Sequence, residues 1–138
     1  MSPKPFLLTA VLALSLTGAA GVANAQAPVN CKIPFAFSLE GQMFPSGTYT
    51  VTPRFGDRGL MLVSNVTGTQ ARFVLVQPES EPLSANTFLL FHRYGDHYYL
   101  ASVEIGGEGL AFRVPRSASE REVASRETGV AVTLLASR

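Results

Sequence analysis

The chain has 138 residues, and its 11 lysines and arginines nearly balance its 10 aspartates and glutamates, so the formal net charge is +1. A charge this small excludes the basic surplus with which many proteins bind nucleic acid or anionic lipid. Cys31 is the single cysteine, so an intramolecular disulfide is excluded as well and stability has to come from packing.

Residues 1–25 have the features of a signal peptide. Lys4 supplies a positive start, an apolar stretch runs from Phe6 to Ala20, and residues 23–25 (Ala-Asn-Ala) fit the small-x-small cleavage pattern. The apolar stretch is shorter than the roughly 20 residues that a membrane-spanning helix needs, so we predict cleavage rather than a retained anchor. Removing these 25 residues from 138 leaves 113, and the loss of Lys4 makes basic and acidic residues equal in number. We therefore predict a single domain at 26–138, exported to the periplasm or the cell exterior, with no membrane span after cleavage.

Alternating apolar and polar residues predict a series of short strands. The first runs from Val29 to Leu39, and Pro34 within it indicates a position at a sheet edge. Cys31 falls on the apolar face of this strand, so we predict a buried thiol rather than a redox site. Further strands are predicted at 48–52, 60–64 and 70–77, the last with both faces at least partly covered, and a polar surface loop is predicted at 78–85.

The segment from Thr87 to Val103 predicts a β-hairpin that holds both histidines of the chain. Gly95-Asp96 is a two-residue turn signal between two aromatic-rich runs. A turn at this place predicts four cross-strand pairs, which are Phe91 with Leu100, His92 with Tyr99, Arg93 with Tyr98, and Tyr94 with His97. Both histidines would then lie on the same face of the hairpin.

The last part of the chain predicts a short strand at 110–114, one helix and a closing strand. Ser117 and Glu120 have the spacing of a capping box, which predicts a mostly charged surface helix from about Ala118 to Arg126. Alternation at 130–136 predicts the closing strand. The fold class that follows is mostly β, a small antiparallel β-sandwich or partly open β-barrel of about eight strands, with one short C-terminal helix before the last strand.

His92, Asp96 and His97 are the candidate metal ligands of the hairpin. They supply at most three ligands on a flexible turn, and a slip of one residue in register would separate the two histidines. We therefore predict no metal site, and we interpret these residues as part of an aromatic hairpin with a structural role.

The sequence contains no nucleophile motif of the forms G-x-S-x-G, S-x-x-K or H-E-x-x-H. We accordingly predict no catalytic residue and no cofactor. The aromatic residues of the predicted strands either fill the core or line a barrel cavity for a small apolar ligand, and we favour the core.

Four segments resemble an uncharacterised family of small exported bacterial β-proteins. They are residues 33–37 (IPFAF), 44–51 (FPSGTYTV), 91–96 (FHRYGD) and 114–122 (VPRSASERE). Phe44 and Ser46 stand where such proteins more often carry Leu and Ala in a Leu-Pro-Ala-Gly-Thr-Tyr turn. The resemblance implies a compact exported β-domain and brings no activity with it.

These observations together predict a non-catalytic binding or structural module of the cell envelope. Its partner would be an envelope protein or a small apolar ligand. The alternative is a carrier with an apolar barrel cavity, and behind it a hydrolase or a metal-binding protein.

Overall fold

The structure is a computed structural model that describes residues 28–54, 59–80, 85–107 and 109–137. The predicted signal peptide lies outside these residues. The described strands and helix are β1 (Val29–Ile33), β2 (Phe37–Leu39), β3 (Gln42–Phe44), β4 (Gly47–Arg54), β5 (Leu60–Asn65), β6 (Ala71–Leu75), β7 (Gln77–Ser80), β8 (Thr87–Tyr94), β9 (His97–Ile105), β10 (Leu110–Arg113), α1 (Ala118–Ala124) and β11 (Val130–Ala136). The described part is therefore mostly β, with a short helix before the last strand as predicted. Within these ranges, no helix has the length and apolar character that crossing a membrane requires.

The strands form two sheets in a β-sandwich-like arrangement. The first sheet has the order β1-β4-β5-β6, and the second has the order β11-β8-β9-β10-β7. Paired backbone hydrogen bonds between Asn30 and Ser137, with N–O distances of 2.7 and 2.9 Å, join the two sheets at one edge. Across the described residues the strands do not close into a barrel.

Aromatic side chains from both sheets meet in the core. The Phe91 ring of β8 lies edge-on to Phe35 and to Phe37, with centroids 5.0 and 5.6 Å apart. Phe37 also lies edge-on to Tyr49 of β4 at 5.1 Å. Phe37 and Phe91 are fully buried, so the rings fill space between the sheets and act as core, as we favoured from the sequence.

The N-terminal strand is divided in two, which differs from the predicted single strand. β1 ends at Ile33, directly before Pro34, which has no amide hydrogen with which to continue the ladder. The chain then turns at Glu40 and Gly41, both with positive φ, so that β2 pairs with β3. β1 is nevertheless an edge strand of the first sheet, as Pro34 indicated.

The predicted loop at 78–85 was wrong for its first residues, which belong to β7. This strand pairs with β10, and Pro78 lies opposite Phe112. A proline is tolerated here because β7 is the last strand of its sheet. The division of the N-terminal strand and the additional strand β7 contribute to the eleven strands that the structure describes, against the predicted eight or so.

We predicted that both faces of the strand at 70–77 are at least partly covered, and this was wrong for the outer face of β6. Phe73 and Leu75 of β6 are 52% and 59% exposed, whereas Val74 between them is fully buried. The guanidinium of Arg54 lies over the Phe73 ring at 5.6 Å from its centroid. This face of the first sheet therefore presents apolar side chains to solvent.

Candidate functional site

The hairpin of β8 and β9 has the predicted turn and register. All four predicted pairs are present, from Phe91 with Leu100 to Tyr94 with His97. Gly95 supplies the positive φ of 59° that a two-residue hairpin turn requires. The prediction is confirmed, and the alternation it sets places Phe91 in the core and His92 on the outer face of the second sheet.

The three candidate metal ligands lie in different surroundings. Asp96 and His97 are exposed at the tip of the hairpin, whereas His92 lies further along β8 and is half-buried. Among the described residues, no group of three or more His, Cys, Asp or Glu side chains is arranged to hold a metal ion. The structure instead brings His92 to a carboxylate from the helix.

Glu120 of α1 is the residue that the sequence did not reveal as part of a site. The predicted capping box is half formed: the Glu120 amide donates to the Ser117 hydroxyl at 3.1 Å, whereas the Glu120 carboxylate contacts His92 and Tyr94 instead of the Ser117 amide. The Glu120 carboxylate points to the second sheet, where the residue is 3% exposed. A mostly charged helix thus lies against the sheet through a buried acidic side chain, although the sequence predicted a plain surface helix.

Three side chains surround the Glu120 carboxylate. Its Oε1 lies 2.8 Å from His92 Nδ1 and accepts a hydrogen bond from the Tyr94 hydroxyl at 3.2 Å. The Arg116 Nε lies 3.9 Å from the same oxygen. A buried carboxylate is costly unless it is paired and hydrogen-bonded, and these neighbours meet that requirement. We call this set of four residues the Glu120 cluster.

Tyr94 shows the effect of this environment. It is 2% exposed, and burial raises the pKa of its phenol above the usual tyrosine value. The negative charge of Glu120 raises the pKa further, and the positive charge of Arg116 opposes it. Tyr94 therefore remains a neutral hydrogen-bond donor toward Glu120 at physiological pH.

A second contact fixes the helix beside the cluster. The Tyr99 hydroxyl and the Ser119 hydroxyl are 3.2 Å apart, and either can donate. Tyr99 also lies edge-on to Tyr94, with ring centroids 5.7 Å apart. The first turn of α1 is thus held to β8 and β9 by hydroxyl and carboxylate groups.

Two cavities meet at the Glu120 cluster on the outer face of the second sheet. One has a volume of about 520 Å³ and extends over β9 and β10, where Ser102 and Arg113 line it. The other has a volume of about 460 Å³ and lies beside the segment that joins α1 to β11. His92 and Arg116 line both cavities, so the two cavities adjoin at these residues, and we refer to them together as the groove.

Charges of both signs line the groove. Glu79 and Arg113 form an ion pair with a nitrogen–oxygen distance of 3.0 Å. Glu104 lies in the first cavity and Glu127 in the second. The two cavities are thus lined by three acidic residues and by two arginines, Arg113 and Arg116, so acidic groups exceed basic groups by one.

Cys31 lies away from this groove, in the core. It is 2% exposed, and its Sγ is 3.7 Å from the Leu135 carbonyl oxygen. Burial raises the pKa of the thiol, which disfavours the reactive thiolate. The predicted burial of Cys31 is confirmed.

The fold and the groove define a β-sandwich-like protein with a polar site on one outer sheet face. Comparisons of the chain with protein-family models, with curated proteins and with solved structures return no match. The resemblance to small exported bacterial β-proteins stays a prediction.

Proposed function

We propose that this chain is an exported, non-catalytic binding module of the cell envelope, and that the groove centred on His92 is its binding surface. The observation that carries the proposal is the Glu120 cluster. It holds His92 with a buried carboxylate at the place where the two cavities meet. A binding site needs side chains held in place before the ligand arrives, and this arrangement provides that.

The choice of polar groups supports a role beyond stability. A helix can be attached to a sheet with apolar side chains, which avoids the cost of removing a carboxylate from water. Here Glu120 is buried, while His92 keeps 30% of its side chain exposed to the groove. The cluster thus uses buried interactions to orient a residue that solvent and ligands reach.

Binding fits the cluster better than catalysis. A hydrolase that uses a histidine with a carboxylate also needs a nucleophile within hydrogen-bond reach of the ring. Within the described residues, the ring nitrogens of His92 have Glu120 as their hydrogen-bond partner. We therefore propose that His92 contacts a ligand and does not activate a nucleophile.

The rival proposal is a carrier with an apolar cavity between the sheets. Phe37, Tyr49 and Phe91 pack against one another in that region. A ligand of useful size would have to displace these rings, at the cost of the contacts among them. The outer groove needs no such rearrangement.

Native mass spectrometry of protein purified from its own host tests this proposal. We expect a chain that begins at Gln26 and carries an added mass from a bound ligand. His92→Phe should lose the added mass, whereas His97→Phe, the matched change at the exposed hairpin tip, should retain it. An added mass that survives His92→Phe would place the binding surface elsewhere. Turnover of ester, peptide or glycoside substrates by the purified protein would contradict the non-catalytic part.

A further inference from the structure

Glu120 determines which nitrogen of His92 is available to a ligand. The Glu120 carboxylate is an acceptor, so His92 Nδ1, at 2.8 Å from Oε1, carries the hydrogen between them. In the neutral imidazole the other nitrogen, Nε2, then has a lone pair and accepts hydrogen bonds. Since His92 lines both cavities, its neutral form places this acceptor at the centre of the groove.

Arg116 offers donors at the same place. Its side chain is 53% exposed and lines both cavities. The Nε approaches Glu120 only to 3.9 Å, so this contact is a loose ion pair rather than a hydrogen bond. A guanidinium has five N–H donors, and those beyond this contact can reach a ligand.

An acceptor next to several donors matches a hydroxyl group, which donates one hydrogen bond and accepts others. A hydroxyl at the centre of the groove can donate to His92 Nε2 and accept from Arg116 at once. A carboxylate ligand has no hydrogen to give to Nε2, and an ammonium ligand has no lone pair for Arg116. The pair of groups therefore discriminates in favour of a hydroxyl.

The charges along the groove point the same way. Glu79 is paired with Arg113, and Arg116 lies beside Glu120. With Glu104 and Glu127 included, the lining carries one more acidic group than basic groups, so it disfavours an anion and attracts a cation only weakly. An uncharged ligand that offers a hydroxyl to His92 and Arg116 is compatible with this lining.

Each cavity, at about 520 and 460 Å³, lies within the usual range of small-ligand sites, roughly 300–1,000 Å³. A ligand that fills both has to be extended and to place a polar unit at the point where they meet. We infer that the groove binds an uncharged oligosaccharide, with one sugar hydroxyl held between His92 Nε2 and Arg116. This inference rests on the proposed binding function and names its ligand class.

Titration of the purified protein with defined trisaccharides tests the inference. The neutral probes are maltotriose, cellotriose and triacetylchitotriose, the charged probes are trigalacturonate and deacetylated chitotriose, and the zwitterionic peptide trialanine is a control that is not a sugar. We expect at least one neutral probe to bind and to shift the NMR signals of the His92 ring and the Arg116 Nε–H. Charged probes should bind about tenfold more weakly or not at all, because a carboxylate has no hydrogen to give to Nε2 and an ammonium has no lone pair for Arg116.

Matched variants separate the inference from the proposed function. His92→Phe keeps a flat ring of similar size and should weaken the neutral probe about tenfold, the usual effect of losing one hydrogen bond. His97→Phe should leave the affinity for the neutral probe unchanged, and near-ultraviolet circular dichroism should show that both variants remain folded.

Binding of a charged probe alone, lost in His92→Phe, would overturn the sugar inference and leave the binding function standing. Neutral probes that bind His92→Phe as well as the wild type, or a complete lack of binding by all six, would overturn the sugar inference. Failure of the binding function itself would appear separately, as the absence of an added mass that depends on His92.

Discussion

Replacement of Glu120 by alanine is the most direct test of how α1 is attached to the second sheet. The change removes the acceptor of the Tyr94 hydroxyl, which is buried, and of His92 Nδ1. A buried hydroxyl left without its partner costs about 1–3 kcal/mol. The loss of the partly buried histidine contact adds to this, so we expect the free energy of unfolding to fall by about 2–3 kcal/mol in total.

Glu122→Ala is the matched control, because it makes the same change in the same helix. The Glu122 side chain is 72% exposed and forms an i,i+4 ion pair with Arg126 at 3.5 Å. Exposed pairs of this kind contribute less than about 1 kcal/mol, so the control should lose no more than about 0.5 kcal/mol. Helix propensity changes equally in both variants and cancels in the comparison.

The assay is urea unfolding followed by far-ultraviolet circular dichroism, supported by tyrosine fluorescence because the chain has no tryptophan. We expect a lower midpoint with an unchanged m value, since the surface exposed on unfolding stays the same. A double-mutant cycle with Tyr94→Phe adds a second criterion. Tyr94→Phe should cost about 1 kcal/mol in the wild type, whereas in Glu120→Ala it should recover about 1 kcal/mol, because it removes the hydroxyl left without a partner. Equal losses for Glu120→Ala and Glu122→Ala would refute the reasoning that the buried carboxylate holds the helix.

Three further predictions concern the core, the helix cap and alkaline pH. Phe91→Ala should lower the free energy of unfolding by about 3–5 kcal/mol, because Phe91 is buried in the core. Phe73→Ala, at an exposed position, should lower it by far less. Similar losses for the two variants in urea unfolding would contradict the assignment of core and surface. Ser117→Ala removes the cap hydrogen bond and should cost about 1 kcal/mol in the same assay, so an unchanged midpoint would argue against the cap. The raised pKa means that Tyr94 holds its proton more tightly in the folded protein than in the unfolded chain. Its contribution to stability is therefore complete below the ordinary tyrosine pKa of about 10 and is lost as the pH rises through the higher pKa of the folded state. Tyr94→Phe should therefore reduce the loss of stability above about pH 10, and urea midpoints that fall equally steeply in both proteins would count against this.

Local signals were enough to predict the hairpin and the helix start. Gly95-Asp96 determines the turn, and a two-residue turn determines which residues pair across it. Ser117 and Glu120 likewise mark the start of α1 through spacing alone. Both features depend on residues close together in the chain, which is why the sequence sufficed.

The Glu120 cluster could not be predicted in the same way. His92 and Glu120 are 28 residues apart, and their contact depends on where α1 crosses the sheet. The capping-box spacing gave Glu120 a complete local role, so nothing in the sequence demanded a second one. One signal was present: the predicted register puts His92 on the face opposite Phe91, and a polar helix that follows β10 has to lie on some surface of the sheet.

A bulge in β9 explains how one hairpin serves both the core and the groove. Leu90 pairs with Ser102 while Phe91 pairs with Leu100, so Ala101 has no partner across the ladder and the register shifts by one residue. Without that shift, alternation would carry Leu100 and Val103 to opposite faces, whereas both are buried in the core. The shift also brings Ser102 to the outer face beside Leu90, in the cavity that His92 lines. Bulges often lie beside functional sites because they redirect side chains. Here the extra residue lets β9 support the aromatic core on one face and form the floor of a polar groove on the other.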